Sequence, residues 1–350
     1  MKGTQRETSF QYQLWGYRII SDFDLGELEP AADDNCQSGS IHLILAADKD
    51  WVRADRRALE YHLANGDLWQ ESWNAGGGYV SRFPGLCSFR ILPDQMRIEC
   101  APQPGIGSST IVHLILDHAI PRLLSLKPGS LVIHASAVQV EDEVIAVLGQ
   151  SGQGKSTLAA WFASQGFPIL TDDCLLLRWH EAARQWLAQP SYGSVRLWPD
   201  SVDALGIEES ALREFAHYSS KKRTGKQADF RFAAEGAPLK ACFVLAGLGN
   251  SIPEDPTAGN SEQQHCGPPK VRRLAVNEAF LALAQAVFRL DAEDEQINRR
   301  EFEILTGLTD TVRFWSLAYE RKYDWLPAVQ SAIINALRAS SHEPEKRKLP

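Results

Sequence analysis

Eight consecutive residues limit this chain more than any others: Gly149-Gln150-Ser151-Gly152-Gln153-Gly154-Lys155-Ser156. Two glycines separated by four residues, then Lys and Ser, make the P-loop (Walker A) pattern. The apolar run Val144-Ile145-Ala146-Val147-Leu148 leads into it, and the helix-forming run Thr157-Leu158-Ala159-Ala160-Trp161-Phe162-Ala163 leaves it. Strand, glycine loop and helix in that order are the setting a phosphate cradle needs.

Each residue type has a physical reason. Gly149, Gly152 and Gly154 let the backbone bend sharply and approach an anion. The amides from Gly149 through Gln153 to Thr157, with the positive end of the helix dipole, would face phosphate oxygens. Lys155 brings a compact charge to the β- and γ-phosphates, and Ser156 offers a hydroxyl to Mg2+. The expected ligand is therefore a nucleoside triphosphate with Mg2+.

After the helix, Gly166 is a natural C-cap. The apolar stretch Phe167-Pro168-Ile169-Leu170 then delivers Thr171-Asp172-Asp173. Phosphoryl transfer needs one carboxylate near the metal and another to take a proton from the attacking hydroxyl. An acidic pair at a strand end, just past a P-loop helix, is placed for both.

Composition narrows the field. A chain of 350 residues is long enough for two units. A net charge of −8 speaks against a nucleic-acid partner. No apolar run has the length of a membrane span, and the first residues lack the apolar core of a secretory signal, so a cytoplasmic protein is expected. Cysteines 36, 87, 100, 174, 242 and 266 form no Cys-x-x-Cys pair, and neither they nor the nine histidines show metal-ligand spacing.

Residues 1–105 read as a β-rich domain, a candidate for substrate docking. Tyr12–Ser21, Ile41–Leu45, Gly78–Phe83 and Met96–Cys100 are strand-like, with turn signals at Ala64-Asn65-Gly66-Asp67 and Asn74-Ala75-Gly76-Gly77. Residues 106–340 read as an α/β P-loop domain and 341–350 as a frayed tail. Within the second unit, 106–127 has helical spacing with a reset at Pro121. Glu141-Asp142-Glu143 suggests a hairpin, and 201–216 is expected to be helical. Ser219–Lys226 is read as a basic, solvated loop, and 247–270 as mobile. Helices are expected near 277–290, 297–307 and 326–339, with a strand at Val312–Leu317.

No Asn-Lys-x-Asp guanine motif, ABC signature or helicase series accompanies the P-loop. The order His134-Ala135-Ser136-Ala137, second strand, Gly149–Ser156 and Thr171-Asp172-Asp173 resembles the catalytic core of HPr kinase/phosphorylase, whose fold is related to phosphoenolpyruvate carboxykinase. The resemblance covers roughly residues 110–330. Three further stretches are similar to the HPr-kinase-related proteins of lasso-peptide pathways. These are Leu14-Trp15-Gly16-Tyr17-Arg18 through Asp24-Leu25, Ser191-Tyr192 through Arg196-Leu197-Trp198-Pro199, and Trp315-Ser316-Leu317 through Trp325-Leu326-Pro327. The Arg-Gly-Leu-Gly signature of true HPr kinases is absent.

The resemblance implies an ATP- and Mg2+-dependent serine kinase. Its acceptor would be a peptide or small protein, such as the C-terminal serine of a lasso precursor peptide, and a homo-oligomer is possible. Asp172 would accept the proton, Asp173 with Ser156 would serve the metal, and His134 would sit beside Asp172 and orient it. Arg223 or Arg196 would stabilise charge on the transferring group. The alternatives are a nucleotide-binding sensor, a kinase of an HPr-like protein, and a small-molecule kinase with the same core.

Overall fold

The computed structural model describes residues 9–31, 38–47, 51, 56–63, 65–216, 218–224, 229–246 and 267–341. The chain is a mixed α/β protein. Its first strands are β1 (Phe10–Leu14), β2 (Tyr17–Ser21), β3 (Glu29–Pro30), β4 (Ser40–Leu45), β5 (Arg57–His62), β6 (Leu68–Asn74), β7 (Tyr79–Phe83), β8 (Cys87–Leu92) and β9 (Arg97–Pro102). They form one nine-stranded sheet in the order β3-β1-β2-β4-β9-β8-β7-β6-β5. The expected single strand Tyr12–Ser21 is in fact the β1–β2 hairpin. Its turn is Trp15-Gly16, with φ of 52° and 75°. Two left-handed residues give a turn whose twist matches that of paired strands.

One face of this sheet, carrying Ile19, Ile41, Phe89, Ile91 and Ile98, shares a core with α1 (Ser108–Leu114) and α2 (Ile120–Ser125). Between the helices lies a π-helical turn, Ile115–Ala119. Pro121 has no N–H to offer the carbonyl four residues back. That carbonyl, Asp117 O, instead faces the Cys174 thiol at 3.6 Å. The proline thus resets the helix, and a π-turn absorbs the change in register.

The remaining elements follow in chain order: β10 (Ser130–Val140), β11 (Glu143–Leu148), α3 (Lys155–Ser164), β12 (Ile169–Thr171), β13 (Cys174–His180), β14 (Gln185–Gln189), β15 (Arg196–Leu197), α4 (Pro199–Leu205), β16 (Leu212–Ala216), β17 (Ser219–Thr224), β18 (Ala237–Leu245), β19 (Lys270–Arg273), α5 (Val276–Ala286), α6 (Glu295–Thr311), β20 (Arg313–Ala318) and α7 (Leu326–Ser341). The second sheet runs β11-β10-β13-β14-β18-β20-β19, with β12 also on β10. Because β11 pairs β18 as well, five of these strands close into a ring. The parallel strands β11 and β18 are largely buried, as strands covered on both faces must be. On one face Leu158, Phe162, Phe243, Val329 and Ile333 pack together; on the other, Leu283, Leu305, Leu308 and Phe314 do. Each such side chain contributes about 1.5–3 kcal/mol by leaving water.

Two expectations fail on the same ribbon. Residues 201–216 are not one helix: α4 ends at Gly206, whose φ of 65° stops it, and 212–216 is strand β16. Ser219–Thr224 is not a loop but strand β17, pairing with both β16 and β15. Helix propensity at Leu212-Arg213-Glu214-Phe215 is a weak bias, and strand pairing overrides it. Most of 247–270, expected to be mobile, lies outside the described residues, as do 225–226 and the tail from 342. Among the described residues no helix is long and apolar enough to cross a membrane.

Candidate active site

The site forms where β10 changes partners. Its first half, up to His134, pairs with β13; from Ala135 onward it pairs with β11. Leu148, the last residue of β11, stands opposite Ala135, so the glycine loop begins beside His134. Thr171, the end of β12, stands opposite Ala137, and Cys174, the start of β13, stands opposite His134. Asp172 and Asp173 therefore span the gap along β10. Residues two apart on a strand share a face. Here Ser136 and His134 take the two aspartates while Ile133, Ala135 and Ala137 enter the core.

The glycine loop connects β11 to α3. Gly154, at φ 93°, caps the helix without a side chain, leaving the first-turn N–H groups open. A side chain at Gly149 would meet Gln153 Oε1 at 2.5 Å and Leu245 Cβ at 3.2 Å, so only glycine fits. Gln153 Oε1 accepts the Gln150 N–H at 2.8 Å. Lys155 folds back over the loop, donating to the carbonyls of Gly149 at 2.8 Å and Gln150 at 3.1 Å. Its burial lowers the ammonium pKa, which Asp173 and Asp172 partly counter. Thr157 Oγ1 lies 3.0 Å from Ser201 Oγ on α4.

The two aspartates sit in different surroundings. Asp172 is buried, at 4% exposure. Its carboxylate accepts from Ser136 Oγ at 3.1 Å and from the Arg196 backbone N–H at 2.8 Å. Burial, with Asp173 beside it, raises its pKa more than Arg196 and the nearby Ser156 lower it. Asp173 is half-buried, with one oxygen 2.9 Å from His134 Nε2 and the other ion-paired with Arg196 Nη1 at 3.0 Å. Burial pushes Asp173 up, but Arg196 and His134 more than offset it and hold the carboxyl well below its usual range. His134 thus partners Asp173, not Asp172 as expected, because it lies directly across from Cys174, the residue after Asp173. The His134 ring also stacks on Phe288.

Behind this pair lies a buried network that sequence reasoning missed. Arg196 Nη2 reaches Asp117 Oδ1 at 3.0 Å. Asp117 also accepts from Tyr192 Oη at 2.7 Å and pairs with His113 Nδ1 at 2.7 Å. The available signal was a lone acid inside the apolar stretch Ile115-Leu116-Asp117-His118-Ala119. Oxygen and sulfur atoms of Asp117, Asp173 and Cys174 lie within 4.8 Å of one another, but Arg196 already neutralises both acids.

The second arginine is placed differently. Arg223, expected in a solvated loop, is fully buried at 0% exposure on β17, opposite Arg196. It lies 2.7 Å from Glu27 of the N-terminal sheet's β2–β3 connection and over the rings of Phe215 and Tyr192. No contact joins it to either aspartate among the described residues.

No protein-family model matches this chain, and no curated protein matches it. Among solved structures, it is similar to the HPr(Ser) kinase/phosphatase from Coxiella burnetii, at 10% identity and a TM-score of 0.32, over 60% of this chain and 92% of that one. The chemistry of the site is read from its own residues.

Ser156, in the first turn of α3, and Asp172, just past β12, offer a hydroxyl and a carboxylate near the end of the glycine loop. Such hard oxygen donors suit Mg2+, which takes one or two protein ligands and completes its shell with phosphate and water. The donor set fits the ion implied by the sequence.

Proposed function

We propose that this protein is an ATP- and Mg2+-dependent kinase that phosphorylates a serine hydroxyl of a peptide or small protein. The observation that carries the reading is the register along β10: Leu148, which leads into the glycine loop, pairs with Ala135, while Thr171 and Cys174, on either side of Asp172 and Asp173, pair with Ala137 and His134. A phosphate cradle and a pair of carboxylates thus leave neighbouring strand ends.

In this reading the amides of 150–157 and Lys155 hold the triphosphate. Lys155 leaves the carbonyls of Gly149 and Gln150 to do so. The metal, when bound at Ser156 and Asp172, supplies charge neutralisation at the phosphates. The aspartates exchange the roles implied by the resemblance. Asp172 is sealed by Ser136 and the Arg196 backbone N–H and suits the metal. Asp173 is more exposed, is oriented by His134 and Arg196, and suits the incoming hydroxyl as proton acceptor. Its low pKa keeps it ionised but makes it a weak base, so it takes the proton only late, as the oxygen–phosphorus bond forms and the hydroxyl becomes acidic. Arg196 holds Asp173 in place; Arg223 supports Arg196 from the neighbouring strand and takes no direct part.

The test is direct. Purified protein, ATP-Mg2+ and candidate peptides ending in serine are incubated, and the peptide is weighed. A gain of one phosphate group, lost in Asp173→Asn, supports the reading. An unchanged peptide mass with every acceptor tried, over protein that binds ATP tightly, supports the nucleotide sensor instead.

A further inference from the structure

The phosphate-binding reading leaves one stretch unused: Tyr319-Glu320-Arg321-Lys322-Tyr323, between β20 and α7. This stretch lies along the rim of the glycine loop. The Tyr319 hydroxyl stands 3.7 Å from the point where a Cβ on Gly154 would be. Arg321 Nη1 donates to Gly152 O at 3.3 Å. Tyr323 Oη lies 3.2 Å from Ser201 Oγ, which lies 3.0 Å from Thr157 Oγ1. Tyr323 also donates to Asp200 Oδ2 at 2.9 Å. One short segment thus touches the loop near its middle, at its last glycine and, through Ser201, in the first turn of α3.

Two of these groups have capacity to spare. The Tyr319 hydroxyl makes no hydrogen bond, and Arg321 has no carboxylate partner, among the described residues. Arg321 is exposed and Tyr319 half-buried. A triphosphate seated on the loop has a nucleoside attached to its α-phosphate, and that nucleoside must lie against whatever borders the loop. Aromatic faces and a guanidinium bind a flat base by stacking and cation–π attraction. The exposed Asp200 carboxylate, with the Tyr323 hydroxyl, offers an acceptor and a donor suited to ribose hydroxyls.

We propose that Tyr319, Arg321 and Tyr323, with Asp200, form the nucleoside side of the site and hold the base and ribose of the nucleotide whose phosphates the glycine loop takes. The inference rests on the nucleotide reading above, and its test separates the two. Binding of Mg2+-ATP and of Mg2+-tripolyphosphate, which has no base or ribose, is measured by calorimetry for the parent, Arg321→Ala, Tyr319→Ala and Tyr323→Phe. The parent binds both, ATP more tightly. Arg321→Ala and Tyr319→Ala weaken ATP about tenfold to a hundredfold, the range of one stacked base, and leave tripolyphosphate within about twofold. Tyr323→Phe keeps the ring and lowers ATP affinity less.

Equal losses for both ligands would mean that the segment merely braces the loop, and would overturn the inference alone. So would a parent that binds the two ligands equally, or variants that bind ATP as the parent does. A parent that binds neither overturns the nucleotide reading and this inference with it. Arg321 is exposed and bonded only to a backbone carbonyl, so its variant keeps the test decisive if Tyr319→Ala fails to fold.

Discussion

The glycine loop and the acid–arginine cluster meet at one strand but are built on opposite plans. The loop works through backbone groups contiguous in sequence, and Lys155 rests on the loop's own carbonyls. The cluster works through side chains brought from far apart: Asp117, Asp173 and Arg196 come from a π-turn, a strand junction and a short edge strand. The loop therefore tolerates local change outside its glycines and lysine. The cluster is a set of buried charges, each dependent on the others. Removing one member of such a set costs more stability than the set itself contributes.

The largest effect should come from the loop and should fall on activity alone. In the kinase reading Lys155→Ala loses at least about a thousandfold in transfer rate, or about 4 kcal/mol of transition-state stabilisation. Its urea midpoint should change little, because it removes a buried charge that has no carboxylate in direct contact. A variant that turns over like the parent would remove Lys155 from the mechanism. Asp117→Asn should do the reverse. It removes one of the two carboxylates paired with the buried Arg196, and the partner of His113 Nδ1, and should cost about 3–5 kcal/mol of stability, read as a lower urea midpoint. An unchanged midpoint would mean that the network is not a set of dependent charges. Ser136→Ala removes a donor to the buried Asp172 and should cost about 1–3 kcal/mol.

Acid titration tells the two aspartates apart. The Asp173 pKa is depressed on folding, so its contribution is full above the ordinary carboxylate range, about pH 4. That contribution disappears as pH falls through the lower folded value. The Asp172 pKa is raised, so its ionised form costs stability near neutrality, and the cost is relieved as pH falls through a value above that range. Urea midpoints from neutral to acid pH should therefore diverge in opposite senses. On mild acidification the parent gains on Asp172→Asn; only in stronger acid does it lose its advantage over Asp173→Asn. The same sign for both would contradict the assigned surroundings. The smallest effect should be Gln153→Ala. It removes one neutral hydrogen bond within the loop and should cost about 1 kcal/mol or less.

Much of the loop half was legible beforehand. The β11–loop–α3 order, the C-cap at Gly166 and the hairpin at Glu141-Asp142 all follow from turn chemistry and periodicity within a few residues. The same local reasoning misjudged the ribbon that carries the arginines. Leu212–Ala216 has helix-forming composition, and Lys221-Lys222-Arg223 looks solvated, yet both are paired strands and Arg223 is among the most buried side chains.

Asp117 drew no attention in sequence because its partners Tyr192 and Arg196 lie 75 and 79 residues further on. The pairing of His134 with one aspartate rather than the other depended on a register. Beside His134, β10 faces Cys174, and that brings the nearer neighbour, Asp173, to the ring. What the amino-acid order determined unaided was the piece whose geometry is held by adjacent residues: a glycine bend between an apolar strand and a helix. Tertiary structure decided which charges stand against that bend, because burial and ion pairing depend on which distant strands come to lie side by side.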